Sequence, residues 1–271
     1  MLFEVIDSEG FTPTSWHDVE SGVCRVDFFP DEPSGVKQAQ AALLAAAALL
    51  GVAVEPEVTT VAQVDWAESW KRFFHVEKIS DRVVVRPSWE NYAAQSGERV
   101  ITLDPGLSFG TGKHATTQAC LCFLDRLAVE NTRRSVLDMG CGSGILAIGA
   151  KLLGFEEVRG FDNDPDCVRV SCENAEVNEV SIPFVLDDLS HAHVPADVVV
   201  ANILAPVLIE HAAQVVWSLV AGAQARLVLS GILDGQYGAV SAAYQAHGLV
   251  EIESLLIGEW RSGLFGSART A

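Results

Sequence analysis

The sequence predicts an α/β protein in which helices cover both faces of a mostly parallel sheet, preceded by a small N-terminal α/β domain. Apolar runs typical of buried strands alternate with helical patterns from about residue 136 onward, as they do in parallel sheets. One such run ends in a glycine-rich turn that leads directly into a helix. The composition changes over residues 59–74. We therefore divide the chain into segments 1–58, 59–74 and 75–271.

The first segment has the pattern of a small sheet-and-helix module. Apolar runs at 3–6 and 23–29 predict two strands. The alanine-rich stretch 36–50 predicts a helix that ends at Gly51, and 52–54 is a further short strand. Because the segment carries no catalytic pattern, we expect it to recognise the substrate.

The segment 59–74 predicts a helix that connects the two domains. Asp65 is suited to cap the start of this helix, and aromatic and charged residues follow at helical spacing. We interpret Trp66 and Trp70 as packing anchors.

The third segment begins with two predicted strands, at 82–86 and 99–103, followed by a long glycine-rich loop over 104–117. A helix is predicted at 116–127. Long loops inside compact domains are usually functional, so we expect this loop to contribute to a site.

The glycine-rich turn follows an apolar strand that ends at Asp138. Three glycines, Gly140, Gly142 and Gly144, stand at alternate positions, and a helical pattern starts at Ile145. Glycine is needed where the backbone takes unusual φ values or touches a ligand. The first amides of a helix have no partner within the helix and can bind a ligand in the turn.

The glycine spacing separates two kinds of nucleotide site. A dinucleotide fingerprint is G-x-G-x-x-G, whereas here the third glycine comes one position early and Ile145 occupies the fingerprint position. No P-loop pattern follows. Asp162 lies at about the distance at which such sites place a carboxylate on ribose hydroxyls. The pattern favours an adenosine-type ligand without pyrophosphate, such as S-adenosylmethionine; the alternative is a turn that merely connects strand to helix.

The remaining elements alternate regularly. We predict helices at 145–153, 165–178, 207–219 and 236–247, and strands at 158–161, 182–186, 198–201, 226–230, 250–257 and 262–267. Ligands bind at the carboxyl ends of strands in such sheets. Gly140, Asp162 and Asn202 follow three of these strands, so we expect them to converge on one site.

The composition excludes several classes of protein. The net charge of −18 over 271 residues argues against direct binding of nucleic acid, which needs a basic surface. It is compatible with a basic protein substrate, although acidity can also simply maintain solubility. No apolar run reaches the length of a membrane span, and the N-terminus lacks the basic region of a secretory signal.

The six cysteines, at 24, 120, 122, 141, 167 and 172, form no C-x-x-C pair, and no pair of histidines completes a zinc pattern. We therefore predict no metal site, and we expect reduced thiols in the cytoplasm.

Six phrases of the sequence together resemble the ribosomal protein L11 methyltransferases. In chain order they are Pro87–Trp89, Gly110–Thr117, Asp138–Gly144, Gly160–Pro165, Asn202–Ala205 and Ser230–Leu233. The glycine phrase alone occurs in many class I methyltransferases, whereas the G-T-G-x-H-x-T-T loop followed by N-I-L-A is far more specific. The resemblance covers about residues 64–271. Pro206 directly follows N-I-L-A where the family often has glycine and then proline.

The resemblance implies a class I, Rossmann-like methyltransferase domain preceded by a recognition domain and a connecting helix. It implies S-adenosylmethionine as cofactor and ribosomal protein L11 as substrate, with lysine ε-amines and the N-terminal α-amine as acceptors. It also suggests a monomer.

The resemblance also assigns cofactor contacts. Thr117 contacts the cofactor from the loop side, and Gly140, with Gly142 in the same turn, lies against the amino-acid or ribose portion. Asp162 accepts hydrogen bonds from the ribose hydroxyls. Asp138 reaches the methionine portion through water.

The remaining assignments concern the methyl group and the base. Asn202, the predicted catalytic residue, lies near the methyl group and holds the acceptor amine. Phe109 covers the cofactor. Asp187 binds the adenine amino group, with Asp188 as the alternative.

Each of these residue types also has a structural explanation. Asn202 is a common turn former, Asp162 is suited to cap a helix, and Thr117 is suited to begin one. His114 either braces the loop or contacts a ligand.

Two other functions are compatible with the same residues. One is methylation of another protein lysine or of a small amine. The other is a methyltransferase-like domain that binds without catalysis. A nicotinamide oxidoreductase is disfavoured by Ile145.

Overall fold

The computed structural model describes residues 14–17, 24–27, 30, 33–51, 54–59, 71, 74–104, 114–130 and 134–267. The chain divides into two compact units, residues 1–69 and residues 70–271. The boundary falls inside the predicted connecting segment 59–74. Most of that predicted helix, at 60–70 and 72–73, lies outside the described residues.

The first unit contains a two-stranded antiparallel sheet and a helix. Strand β1 (Thr14–His17) pairs with β2 (Cys24–Asp27), and helix α1 (Pro33–Leu50) ends before Gly51, whose φ is 65°. The strand predicted at 23–29 and the helix predicted at 36–50 are confirmed, whereas β1 was not predicted. The strand predicted at 3–6 lies outside the described residues, as does most of the one predicted at 52–54.

The second unit contains ten strands and six helices among its described residues. The strands are β3 (Glu77–Lys78), β4 (Val83–Arg86), β5 (Arg99–Thr102), β6 (Ser135–Met139), β7 (Glu157–Asp162), β8 (Phe184–Leu186), β9 (Val198–Asn202), β10 (Arg226–Leu233), β11 (Leu249–Ile257) and β12 (Trp260–Ser267). The helices are α2 (Ala115–Glu130), α3 (Ile145–Leu152), α4 (Pro165–Val177), α5 (Ala205–Glu210), α6 (Ala212–Trp217) and α7 (Asp234–Ala246).

Seven strands form the main sheet in the order β11-β12-β10-β9-β6-β7-β8. The five strands from β8 to β10 are parallel to one another, and β12 runs antiparallel to both β10 and β11. The prediction of a mostly parallel sheet is confirmed. Since the parallel strands share one direction, β6, β7, β9 and β10 end at the same edge of the sheet.

Alternating side chains of the central strands build two cores, one on each face of the sheet. Val136, Val200 and Val228 pack with the apolar side chains of α2 and α3. Leu137 and Val199 point the other way and pack with those of α5, α6 and α7. Fully burying an aliphatic side chain is worth about 1.5–3 kcal/mol, so both apolar faces of these strands hold the helices against the sheet.

A second, smaller sheet has the order β3-β4-β5, with β4 and β5 parallel. Val83 and Ile101 of this sheet are buried in the same core as α2 and α3. The strands predicted at 82–86 and 99–103 are confirmed. The two-residue strand β3 is too short to give a sequence pattern and was not predicted.

The prediction of one continuous helix over 207–219 is wrong, because two short helices, α5 and α6, occupy this stretch. The break is at His211, where φ is −102° and ψ is 18°. The amide of His211 still donates to the carbonyl of Val207, and its carbonyl accepts from Val215. The break is therefore a local distortion of one helical path.

Among the described residues, no helix has both the length and the apolar character that a bilayer crossing requires.

Candidate functional site

A cavity of about 650 Å³ lies at the carboxyl edge of the main sheet. Its volume is in the range typical of small-molecule sites. Residues near the carboxyl ends of four parallel strands line it, namely Gly140 after β6, Asp162 at the end of β7, Asn202 at the end of β9 and Gly231 within β10. Thr117 from α2 also lines it. The structure therefore brings together the residues that the strand pattern predicted to converge.

The glycine turn between β6 and α3 forms one wall of the cavity. Gly140 has a φ of 69°, and a Cβ there would lie 2.6 Å from the Cγ2 of Ile203. Gly144 precedes α3 with a φ of 78°, and a Cβ there would lie 3.2 Å from the Cα of Ser171. Both positions combine a left-handed backbone with close packing, and only glycine meets both requirements at low cost.

Asp162 is held by two backbone amides. Its Oδ2 accepts from the amide of Gly142 at 2.9 Å, and its Oδ1 accepts from the amide of Asp164 at 3.0 Å. Asp162 is not the helix cap: the Asp164 side chain caps α4 by accepting from the amide of Asp166. Each carboxylate oxygen has two lone pairs, so Asp162 retains the capacity to accept bonds from a ligand.

Asn202 and Thr117 present polar atoms that the described part of the protein leaves unpartnered. The Oδ1 of Asn202 and the Oγ1 of Thr117 are both buried and without a hydrogen-bond partner there. Most buried polar atoms have one, and leaving one unsatisfied costs about 1–3 kcal/mol. Because both residues line the cavity, a bound ligand is a natural partner for these atoms.

Comparison with known proteins identifies the family. A sequence model of the family described as "Ribosomal protein L11 methyltransferase (PrmA)" matches residues 14–265. The chain belongs to this family. The match begins far upstream of residue 64, where the resemblance seen in the sequence began, and so includes most of the small first unit.

Curated members of the family align over much of the chain. The ribosomal protein L11 methyltransferase of Geobacter sulfurreducens is 38% identical over 254 residues, which are 92% of this chain and 83% of that protein. The protein of the same name from Ruminiclostridium cellulolyticum is 38% identical over 206 residues, which are 74% of this chain and 64% of that protein. The chain thus spans just under two thirds of the length of the latter relative.

A solved member of the family has the same fold. The crystal structure of ribosomal protein L11 methylase from Lactobacillus delbrueckii subsp. bulgaricus superposes with a TM-score of 0.66 and 29% sequence identity, covering 72% of this chain and all of that one. The predicted class I, Rossmann-like fold and the predicted family are confirmed.

Asp138 of this L11 methyltransferase family member lies behind the cavity wall and is only 1% exposed. Its Oδ2 accepts from the amide of Ala147 at 3.1 Å, and its Oδ1 has no partner in the described structure. Burial raises the pKa of Asp138 to about 7. The structure does not place Asp138 with the residues that line the cavity, and its predicted contact through water stays a prediction.

Asp187 and Asp188 follow β8, and both line the cavity. Their position alone therefore does not show which of them would bind the adenine amino group. The Asp187 carboxylate is hydrogen-bonded to His191, and the Nδ1 of His193 lies 3.7 Å from its Oδ2. The hydrogen bond to His191, together with one from the amide of Asp188, lowers the pKa of Asp187. Asp187 is therefore an anionic hydrogen-bond acceptor at neutral pH.

His114 and Trp260 line the cavity together, and their rings meet edge to face with centroids 4.9 Å apart. The Nδ1 of His114 also lies 2.7 Å from the Oγ1 of Thr116, so this histidine braces the start of α2 and faces the cavity as well. Trp260 was not predicted as a site residue, because it comes from a hairpin at the far end of the chain. Phe109, predicted to cover the cofactor, lies outside the described residues.

The cysteines near the site are not poised as nucleophiles. Burial raises the pKa of Cys141, and it also raises the pKa of Cys167 to about 11, so both remain protonated thiols at neutral pH.

Across the described residues, no cluster of three or more histidine, cysteine or acidic side chains is arranged to hold a metal ion.

Proposed function

We propose that this protein transfers the methyl group of S-adenosylmethionine to amino groups of ribosomal protein L11, namely lysine ε-amines and the N-terminal α-amine. Membership of the L11 methyltransferase family supports both the chemistry and the substrate. The observation that carries the proposal is a cavity whose wall combines the glycine turn, the held carboxylate of Asp162 and the unpartnered oxygen of Asn202.

The residues of the cavity fit the parts of this cofactor. Asp162 would accept from the ribose hydroxyls, and Asp187 would accept from the adenine amino group. Gly140 and Gly142 would lie against the amino-acid or ribose portion, because glycine lets the backbone approach closely. Thr117, whose Oγ1 lacks a partner, would donate a hydrogen bond from α2. When bound, the cofactor supplies an electrophilic methyl group on a sulfonium.

The protein's own task is to present a neutral amine in line with that methyl group. A lysine has an ordinary pKa near 10.4, so deprotonation costs about 4–5 kcal/mol at neutral pH. A partly dry pocket reduces this cost, because desolvation disfavours the ammonium. The Oδ1 of Asn202 would accept a hydrogen bond from the neutral amine and so orient its lone pair.

The charge of the chain is suited to a basic protein substrate. A net charge of −18 attracts a positively charged partner and raises its encounter rate, and it disfavours a direct contact with nucleic acid. We infer that the protein acts as a cytoplasmic monomer and that the first unit recognises L11.

The test is mass spectrometry of purified L11 after incubation with the protein and isotopically labelled S-adenosylmethionine. The expected result is labelled methyl groups on lysine side chains and on the N-terminal amine. A parallel incubation with a whole-proteome extract distinguishes the alternatives. Labelling of another protein and not of L11 would assign a different substrate, and binding of the cofactor without any labelling would favour a binding module.

A further inference from the structure

His211 faces the cavity from the break between α5 and α6. Its neighbours on this wall include the apolar side chains of Ile203, Leu204 and Val207. His211 is therefore a polar residue on a segment whose other cavity-lining residues are apolar, and no step proposed for methyl transfer involves it.

The Nδ1 of His211 is buried and has no hydrogen-bond partner within the described structure. The ring has one donor and one acceptor nitrogen when neutral and two donors when charged. An unpartnered buried nitrogen is costly, and this one belongs to a residue that lines a cavity. The simplest source of a partner is a molecule bound in that cavity.

The position of His211 indicates which part of a ligand it meets. Asp187, Asp188 and Leu189, which follow β8, line the cavity together with His211. The pKa of Asp188 is lowered mainly by the hydrogen bond from the amide of Ser190, and His211 contributes to it only weakly. Since His211 lines the same cavity as these residues, it can reach the nucleoside that the proposed function places against them.

We propose that His211 binds the nucleoside half of the cofactor through a hydrogen bond from or to its Nδ1. This inference rests on the proposed function, since it takes an adenosine-type cofactor as the ligand. It adds a residue to the set predicted from sequence, and it gives the unpartnered Nδ1 of His211 a partner.

The test measures the dissociation constant of S-adenosylhomocysteine by isothermal titration calorimetry for the wild type, His211→Leu and His211→Asn. Leucine keeps an apolar side chain at the position, whereas the asparagine amide returns a polar atom near the place of Nδ1. Loss of one hydrogen bond weakens binding by about tenfold, so we expect that effect for His211→Leu and recovery to within about threefold for His211→Asn. His247→Leu, at an exposed position after α7, is the matched control and should bind as the wild type does.

A second ligand locates the contact. Methylthioadenosine carries the nucleoside and lacks the amino-acid portion, so the His211→Leu effect should be as large with this ligand as with S-adenosylhomocysteine. Circular dichroism and thermal unfolding show whether each variant is folded.

Three outcomes overturn the inference while leaving the proposed function intact. They are equal affinity of His211→Leu and wild type, equal weakening in the leucine and asparagine variants, and a loss confined to S-adenosylhomocysteine. If the wild type binds neither ligand, the proposed function itself fails, and the inference fails with it.

Discussion

The carboxylate of Asp162 accepts a hydrogen bond of 2.9 Å from the backbone amide of Gly142. This bond joins the end of β7 to the glycine turn after β6, two features that the sequence analysis identified separately. The other oxygen of Asp162 is held by the amide of Asp164. Because both oxygens are fixed by backbone groups, the carboxylate is oriented toward the cavity before any ligand arrives.

Asp162→Asn should weaken cofactor binding by about tenfold or more. The asparagine side chain has one acceptor oxygen fewer, and its NH₂ group would face a backbone N–H, which is also a donor. Calorimetric titration with S-adenosylhomocysteine measures the effect. Asp166→Asn, an exposed acid in the first turn of α4, is the control and should bind normally. Unchanged affinity in Asp162→Asn would remove Asp162 from the site.

Asn202→Ala should reduce the rate of methyl transfer by about 100-fold while changing cofactor affinity much less. The reason is that its unpartnered Oδ1 is proposed to orient the amine, a contribution to positioning. Single-turnover rates with L11 and calorimetry separate the two effects. Asn163→Ala, the other asparagine that lines the cavity, is the matched control. A rate for Asn202→Ala like that of wild type would show that the amide does not orient the acceptor.

Gly231→Ala should destabilise the protein by about 2 kcal/mol or more. Gly231 has a φ of 80°, and a Cβ there would lie 2.4 Å from the carbonyl oxygen of Ile203, so both backbone strain and a clash with main chain oppose it. Since Gly231 and Ile203 both line the cavity, the cofactor affinity should also fall. Urea denaturation measures the first effect.

Gly238→Ala is the control for this prediction, because a Cβ at that exposed position inside α7 would meet nothing within 4 Å. It should be neutral or stabilising by about 0.5–1 kcal/mol, as alanine is favoured in helices. Equal stability of the two alanine variants would contradict the packing described at Gly231.

The buried Asp138 should make stability depend on pH. Burial raises its pKa from an ordinary value of 3.8 to about 7. Between these pH values the folded state binds the proton and the unfolded state does not. The stabilisation that protonation of Asp138 gives the folded state is therefore complete below about pH 4 and is lost as pH rises through 7. At about 1.4 kcal/mol per pKa unit, the loss is at most about 4 kcal/mol.

Asp138→Asn removes this titration. Urea denaturation of both proteins at pH 5 and pH 8 should show the variant gaining stability relative to wild type at the higher pH. The difference between the two free energies of unfolding is free of the contributions of the other acidic residues, because both proteins contain them. The same pH dependence in both proteins would show that Asp138 does not titrate in this range.

Much of the fold followed from the sequence because the central strands and helices carry strong local patterns. The strand that ends at Asp138 and the helix from Ile145 are each specified by neighbouring residues, and parallel strands bring their carboxyl ends to one edge. This is why the sequence alone predicts that Gly140, Asp162 and Asn202 lie at one site.

The features that the sequence did not reveal depend on contacts between distant parts of the chain. Trp260 reaches the cavity only because β12 inserts beside β10, which no local pattern indicates. His211 lies in a stretch with continuous helical periodicity, and the break there arises in the folded chain. Asp138 and Asp162 both lie near the end of a buried strand, and only the folded structure shows that Asp162 lines the cavity and Asp138 does not.

The most direct test of the central claim, that the carboxyl edge of the sheet binds an adenosine-type cofactor, is a crystal structure determined with S-adenosylhomocysteine. We expect the nucleoside in the cavity, with its ribose on the Asp162 carboxylate and its sulfur near Asn202. A cavity that stays empty at saturating ligand, or a nucleoside bound elsewhere on the protein, would contradict it.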